Sequence, residues 1–295
     1  MPSITAPHGP IEYAVEGVGE PLVLINGLGS QLIRWSPVFR AALVDCGFQV
    51  IRFDNRDAGL SKGYGDEAPD LRAVAKALRA GEPLELPYRI ADLASDVVTL
   101  LDSLGIPKAH LLGMSMGGFI AQHLAADHPT HVASLTLIMS SSGNPALPPP
   151  SAEAQALLSR RSGDGVATRD ALIDQAVLNA QVIASPAYPT DPGSFRLRAA
   201  AEIDRAYRPA GYVRQRAAIM ADGDRRAMLS RIKTPTLVIH GKADPLVPHE
   251  AGEELARIIA GATLRSIEGM GHEIPDQLTA DIALACAANA GLAAR

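Results

Sequence analysis

Only two cysteines occur, Cys46 and Cys286. They are too few for a disulfide framework and lack metal-site spacing, so both are expected as small buried apolar side chains. With no HExxH motif and no His/Cys cluster, no metal is expected. Gly27-Leu28-Gly29 lacks the remaining spacing of a dinucleotide fingerprint or a Walker loop, so no cofactor is expected. Basic residues never run five together and the net charge is −5. The cationic surface that nucleic-acid binding requires is therefore missing. No apolar run reaches the roughly 18–20 residues of a membrane span. Met1–Pro7 has neither the basic start nor the apolar stretch of a secretory signal. These absences leave a cytoplasmic enzyme acting on a small molecule as the expectation; composition does not separate a monomer from a homodimer.

What is present suits a large core. The 295 residues are 47% hydrophobic and 20% charged, enough for one big α/β domain or a domain with an insertion. Pro21–Ile25 is a continuous apolar run between turn residues, the signature of a strand covered on both faces. Phe48–Phe53, Ala109–Met114, Ala133–Met139, Pro235–His240 and a short stretch near 263–267 read similarly. Helical patterns lie between them: Ser36-Pro37 opens one, and Ile90, Leu93, Ala94, Val97, Leu100 and Leu101 recur at helical spacing in 89–104. Such alternation predicts an α/β fold with a mostly parallel, doubly wound sheet. The rhythm breaks after Ser140. Residues 151–230 contain helix-like segments and no convincing strand, so a helical cap is expected at 144–231, between core segments 1–143 and 232–295.

Chemistry enters at Gly113-Met114-Ser115-Met116-Gly117. A serine between glycines two positions either side, after an apolar strand and before a helix, is the pattern of a nucleophile elbow. The tight turn strains the serine, and the glycines let strand and helix approach closely. The hydroxyl then stands at the strand's C-terminal tip, and the Met116 N–H points to where an oxyanion would form. Serine is a poor nucleophile without a base, and imidazole can take and return its proton. His272 and Asp244 each sit in a loop after a predicted strand, where active groups of a doubly wound sheet gather. Asp244 would fix the imidazole tautomer. Glu268 and Asp276 compete for that role, and His249 is a weaker alternative base. His123, His128 and His240 read as packing or structural groups.

These motifs carry a family resemblance over residues 20–140 and 233–290. Asn26-Gly27-Leu28-Gly29, Asp54-Asn55-Arg56-Asp57-Ala58-Gly59-Leu60-Ser61, the elbow, Gly241-Lys242-Ala243-Asp244-Pro245 and Gly269-Met270-Gly271-His272 occur in the order of the α/β-hydrolases. The chain resembles their lipase/esterase kind, particularly the branch of bacterial methylesterases such as aclacinomycin methylesterase, and more distantly enol-lactone hydrolases. The resemblance implies the α/β-hydrolase fold, a catalytic Ser115–Asp244–His272 set, and an oxyanion hole from the N–H groups of Leu28 and Met116. Two departures stand out. Asn26 precedes Gly27 where the family usually has histidine, and Asp57 occupies a position where glycine is commoner.

The implied function is hydrolysis of a small to medium, largely apolar carboxylic ester, a small-molecule substrate, through an acyl-enzyme on Ser115. Gly27, Trp35, Met139 and Met270 are expected to bind substrate; Trp35 and Phe39 lie near the oxyanion loop, and packing is the alternative for each. A lactonase, a C–C bond hydrolase or an iminopeptidase would use the same machinery. The last would need cap acids for the substrate amine, from Glu153, Asp164, Asp170, Asp174, Glu202 and Asp204. Arg56 and Asp57 are expected as a structural turn, with a mutual buried ion pair or substrate contact as alternatives. A non-catalytic small-molecule receptor on this fold is the rival outside enzymology.

Overall fold

The computed structural model describes residues 1–159 and 168–292. Eight strands form one sheet: β1 Ser3–Ala6, β2 Gly9–Glu16, β3 Glu20–Ile25, β4 Phe48–Phe53, β5 Ala109–Met114, β6 Val132–Ile138, β7 Thr236–Gly241 and β8 Thr263–Ile267. Their order is β1-β2-β4-β3-β5-β6-β7-β8. β2 pairs antiparallel with β1 and with β4, and every later pairing is parallel. From β3 the chain moves outward to β4 on one side, then returns to build β5 to β8 on the other. The reversal falls between β3 and β5, where a crevice opens beyond the strand ends.

Helices cover the sheet. In chain order they are α1 Pro37–Asp45, α2 Leu71–Ala80, α3 Ile90–Ser103, α4 Met116–Asp127, α5 Ala152–Ser159, α6 Arg169–Val182, α7 Pro192–Arg205, α8 Pro209–Asp222, α9 Arg226–Leu229, α10 Glu250–Ile258 and α11 Thr279–Asn289. The side-chain period of two sorts each strand between two cores. Val23 and Ile25 of β3 join Leu111 of β5 and Leu137 of β6 beneath α3 and α4. Leu22 and Leu24 join Leu112 and Ile138 beneath α1 and α11. Burial of each such Leu or Ile side chain contributes ~1.5–3 kcal/mol, so both strand faces must be apolar. That is why these strands read as unbroken runs.

The chain meets its turns where expected. The Ser36 hydroxyl accepts the Phe39 N–H at 3.2 Å and caps α1, with Pro37 at the first helical position. The stretch between β6 and β7 holds α5 to α9 and, among the described residues, no strand. Cys286 is buried, which pushes its thiol up to about 12, whereas Cys46 is only half-buried. No helix among the described residues is long and apolar enough to cross a membrane.

Candidate active site

Ser115 occupies the junction of β5 and α4 with φ 55° and ψ −119°. A non-glycine residue pays for positive φ in strain, so the surroundings must enforce it. Ser115 N–H donates to the Ile138 carbonyl at 3.0 Å, and the Ser115 carbonyl accepts from Gly118 N–H at 2.9 Å and Ser140 Oγ at 3.0 Å. The two elbow glycines are required by contact. A Cβ on Gly113 would overlap the Gly117 carbonyl, and one on Gly117 would overlap the carbonyl of Ile25 at the end of β3.

Beyond β7, the Asp244 carboxylate is fixed before it meets any imidazole. Its Oδ1 accepts the N–H groups of Leu246 at 2.9 Å and Val247 at 2.8 Å. Its Oδ2 lies 2.7 Å from His272 Nδ1. Burial opposes ionisation of Asp244, but the facing His272 and the hydrogen bonds from His240, His272 and Val247 outweigh it and hold the carboxyl well below the usual range. With Nδ1–H donated to the carboxylate, Nε2 of His272 is left to accept from Ser115 Oγ, 3.1 Å away. The three groups therefore form one proton path.

The rivals for these positions are elsewhere. Glu268 pairs with Lys242 at 2.5 Å. Asp276 opens a short 3-10 turn, and its carbonyl accepts from Thr279 Oγ1. His249 meets Ser266 Oγ at 2.8 Å and His123 meets Asp222 at 2.8 Å; His240 stays beside the site, its Nε2 2.8 Å from the Val247 carbonyl and 3.6 Å from Asp244 Oδ2.

Leu28, in the loop after β3, and Met116, the first residue of α4, flank the serine. Neither N–H has a protein acceptor among the described residues. Gly27 lies against the elbow: a Cβ there would come within 3.3 Å of the Met114 carbonyl and of Ser115 Cβ. Asn26 is wholly buried; its Nδ2 is 3.4 Å from the Phe53 carbonyl, and its own carbonyl accepts from Asn55 Nδ2 at 3.1 Å. The Asn-for-His departure thus leaves a loop tied to the end of β4. Gly29 N–H donates to Gln215 Oε1 at 2.8 Å, carrying the tie into α8.

A cavity of about 290 Å³ opens over Ser115 and His272. Gly27, Leu28, Trp35 and Phe39 line it, together with Leu158, Ile183, Phe195 and Tyr212 from the α5–α8 stretch. Met139 and Met270, expected at the substrate, do not line it. Both are fully buried in the core beneath α1 and α11, with Met139 N–H bonded to the Ile239 carbonyl and the Met270 carbonyl accepting from Ala243. Proximity in sequence to Ser115 and His272 placed them beside the site, but the period of the strand ends turned them into the sheet. Met114 lines the cavity instead.

Four acids weighed for binding an amine already face arginines, Asp170 among them at 3.6 Å from Arg169. Glu202 meets Arg34 at 2.7 Å, Asp204 meets Arg169 at 2.6 Å, and Asp174 meets Arg196. Asp164 lies outside the described residues.

The Asp54–Ser61 turn holds surprises that spacing did not reveal. Arg56 and Asp57 do not pair with each other. Arg56 makes a two-pronged bond to Asp96 of α3, both contacts 2.6 Å. Asp57, at φ 68°, takes two bonds of 2.8 Å from Arg214 of α8 and one of 2.7 Å from Tyr88. Burial would raise the Asp57 carboxyl, but Arg214 and Tyr88 hold it below its ordinary value. Asp54 accepts from Leu32 N–H at 2.7 Å and pairs with Arg205 of α7 at 2.7 Å. Arg205, Arg214 and Gln215 were missed because a helical arginine reads as a solvated face. The one available signal was Asp57 itself, an acid where glycine is commoner.

The His272 loop is tied the same way. His272 N–H donates to the Ile183 carbonyl at 2.8 Å, and Gly271 N–H donates to Ser185 Oγ at 2.9 Å. The segment after α6 thereby holds the imidazole's backbone.

Comparison with known proteins matches this architecture. The pattern of the alpha/beta hydrolase fold family fits residues 20–277. A RutD protein of Variovorax paradoxus, named as a proposed carbamate hydrolase, is 34% identical over 271 residues, covering 89% of each chain. Rhodomycin D methylesterase DauP of Streptomyces sp. is 30% identical over 284 residues, covering 88% of each. A solved hydrolase structure from Pseudomonas aeruginosa superposes with TM-score 0.69 at 26% identity, over 98% of this chain and 96% of that one. With its family pattern spanning both halves of the sheet, the chain belongs to the α/β-hydrolase fold family.

Proposed function

We propose that the protein is a serine hydrolase of carboxylic esters, with Ser115 as nucleophile, His272 as general base and acid, and Asp244 as the group that orients and stabilises the imidazolium. The observation that carries this reading is the continuous path from Ser115 Oγ to His272 Nε2, 3.1 Å, and from His272 Nδ1 to Asp244 Oδ2, 2.7 Å, at the floor of a largely apolar cavity. A methylesterase among its relatives supports ester chemistry.

The steps follow from the groups. His272 removes the Ser115 proton as Oγ adds to the ester carbonyl. The Leu28 and Met116 N–H groups, which have no acceptor among the described residues, receive the oxyanion. His272 then gives its proton to the departing alcohol, leaving an acyl ester on Ser115. Water, deprotonated by the same imidazole, adds to that carbonyl; collapse returns the proton to Ser115 Oγ and frees the acid. The helical stretch 144–231 acts as the cap, because its residues supply one wall of the cavity. A fluorophosphonate probe should label Ser115, and turnover of p-nitrophenyl butyrate should vanish in Ser115→Ala. Activity near wild type in that variant refutes the reading; ligand binding without labelling favours a receptor.

A further inference from the structure

The cavity walls are mostly apolar; the charged side chains that line them are Arg34, Arg198 and Glu273. Arg34 Nη2 is satisfied by Glu202 at 2.7 Å. Arg198 makes no ion pair and no hydrogen bond among the described residues; its guanidinium rests over the Phe195 ring, 5.1 Å from the centroid. This protein otherwise meets buried guanidinium groups with acids. Arg56 faces Asp96, Arg205 faces Asp54, Arg214 faces Asp57 and Arg225 faces Asp222, at 2.6–2.8 Å. Arg198 is half-buried on the cavity wall without such a partner.

The local charges deepen the mismatch. Burial disfavours the charged form of Arg198, and Arg34 adds repulsion; Glu273, Glu202 and Asp276 offset this only in part, leaving the guanidinium below its ordinary value. Glu273 Oε1 is occupied by the Ser185 N–H at 2.9 Å. An anion in the cavity would relieve both desolvation and repulsion. A guanidinium presents two parallel N–H groups matched to a carboxylate, which a water molecule cannot replace.

We infer that Arg198 binds a carboxylate of the substrate, so that the preferred esters are half-esters of dicarboxylic acids, apolar between an ester at Ser115 and a free carboxylate at Arg198. This rests on the esterase reading above and names its substrate class. Phe195 supports the guanidinium from one face.

The test compares monomethyl succinate, adipate and suberate with the dimethyl ester of the same acid, in wild type, Arg198→Gln and Arg198→Lys. Wild type should prefer the half-ester at the chain length that spans the two groups. Arg198→Gln should lower kcat/KM for that half-ester about 10- to 100-fold, chiefly through KM. Its loss on the dimethyl ester should be about tenfold smaller, and Arg198→Lys should recover part of the preference. Retained dimethyl-ester turnover also reports that the variant is folded. Equal losses on both esters, or no half-ester preference at any length, overturn the assignment while leaving the esterase reading intact. Fluorophosphonate labelling of Ser115 without turnover of any of these esters does the same. No turnover and no labelling overturn both.

Discussion

Ser115 sits at φ 55°, and Gly27 packs close to its side chain. A methyl group at Gly27 would press on Ser115 Cβ at 3.3 Å and reach to 3.8 Å from Oγ. Gly27→Ala should therefore lower kcat on p-nitrophenyl butyrate by about 10- to 100-fold, because sub-ångström displacement of a nucleophile is expensive. Thermal unfolding should change little, since at 3.3 Å from the Met114 carbonyl and Ser115 Cβ the neighbours need give by only a few tenths of an ångström. Steady-state kinetics beside a melting curve check this, and an unchanged kcat counts against the geometry. Ser115→Ala is expected to cost at least about 10³-fold on the same ester. At this scale the sequence was informative: that Ser115, Asp244 and His272 would meet was legible because each sits in a glycine-bearing loop after a strand. Arg198 was not readable, since nothing local distinguishes an arginine aimed at a cavity from one in water.

Between elements, the link of most consequence joins α8 to the turn after β4. Arg214 and Asp57 are both buried, with side-chain exposures of 4% and 0%. Removing one partner from such a pair leaves the other charge stranded. Asp57→Ala should destabilise the protein by about 3–5 kcal/mol, and the further change Arg214→Met should recover much of that loss. Urea unfolding of the two single variants and the double variant gives the coupling; additive effects would show that the pair is not acting as a unit. Ser185→Ala addresses a second link. It strips the acceptor from Gly271 N–H beside His272, and a lower kcat with a nearly unchanged KM is the expected readout. Unaltered kcat would mean that the Ile183 carbonyl alone holds the loop.

Across the whole molecule, acid sensitivity follows from the depressed carboxyls. Asp57 and Asp244 ionise more readily in the folded protein than at their ordinary value of 3.8. Their contribution is fully present above that pH, where folded and unfolded states are both ionised. It is lost as pH falls below 3.8 toward the folded values, because the unfolded chain binds protons first. Urea midpoints should hold steady from pH 7 to about 5 and drop steeply below about 4. Asp57→Asn, though less stable at neutral pH, should show a shallower acid decline; an equal slope would exclude Asp57 as a contributor.

The sheet and its helices were legible because each strand buried on both faces must be apolar throughout, and each helix must present one apolar stripe. The start of α1 was legible because the Ser36 hydroxyl caps it and Pro37 takes its first position. What local chemistry could not disclose were contacts between distant segments. Met139 and Met270 turned into the core because of where the strand ends point, and Arg56 and Asp57 chose Asp96 and Arg214 over each other. The sequence by itself determined the fold class and the order of the groups that meet at the candidate site, since both depend on short-range pattern. Only the tertiary structure decided which side chains line the cavity and which charge is left without a partner, because those depend on segments more than a hundred residues apart meeting in space.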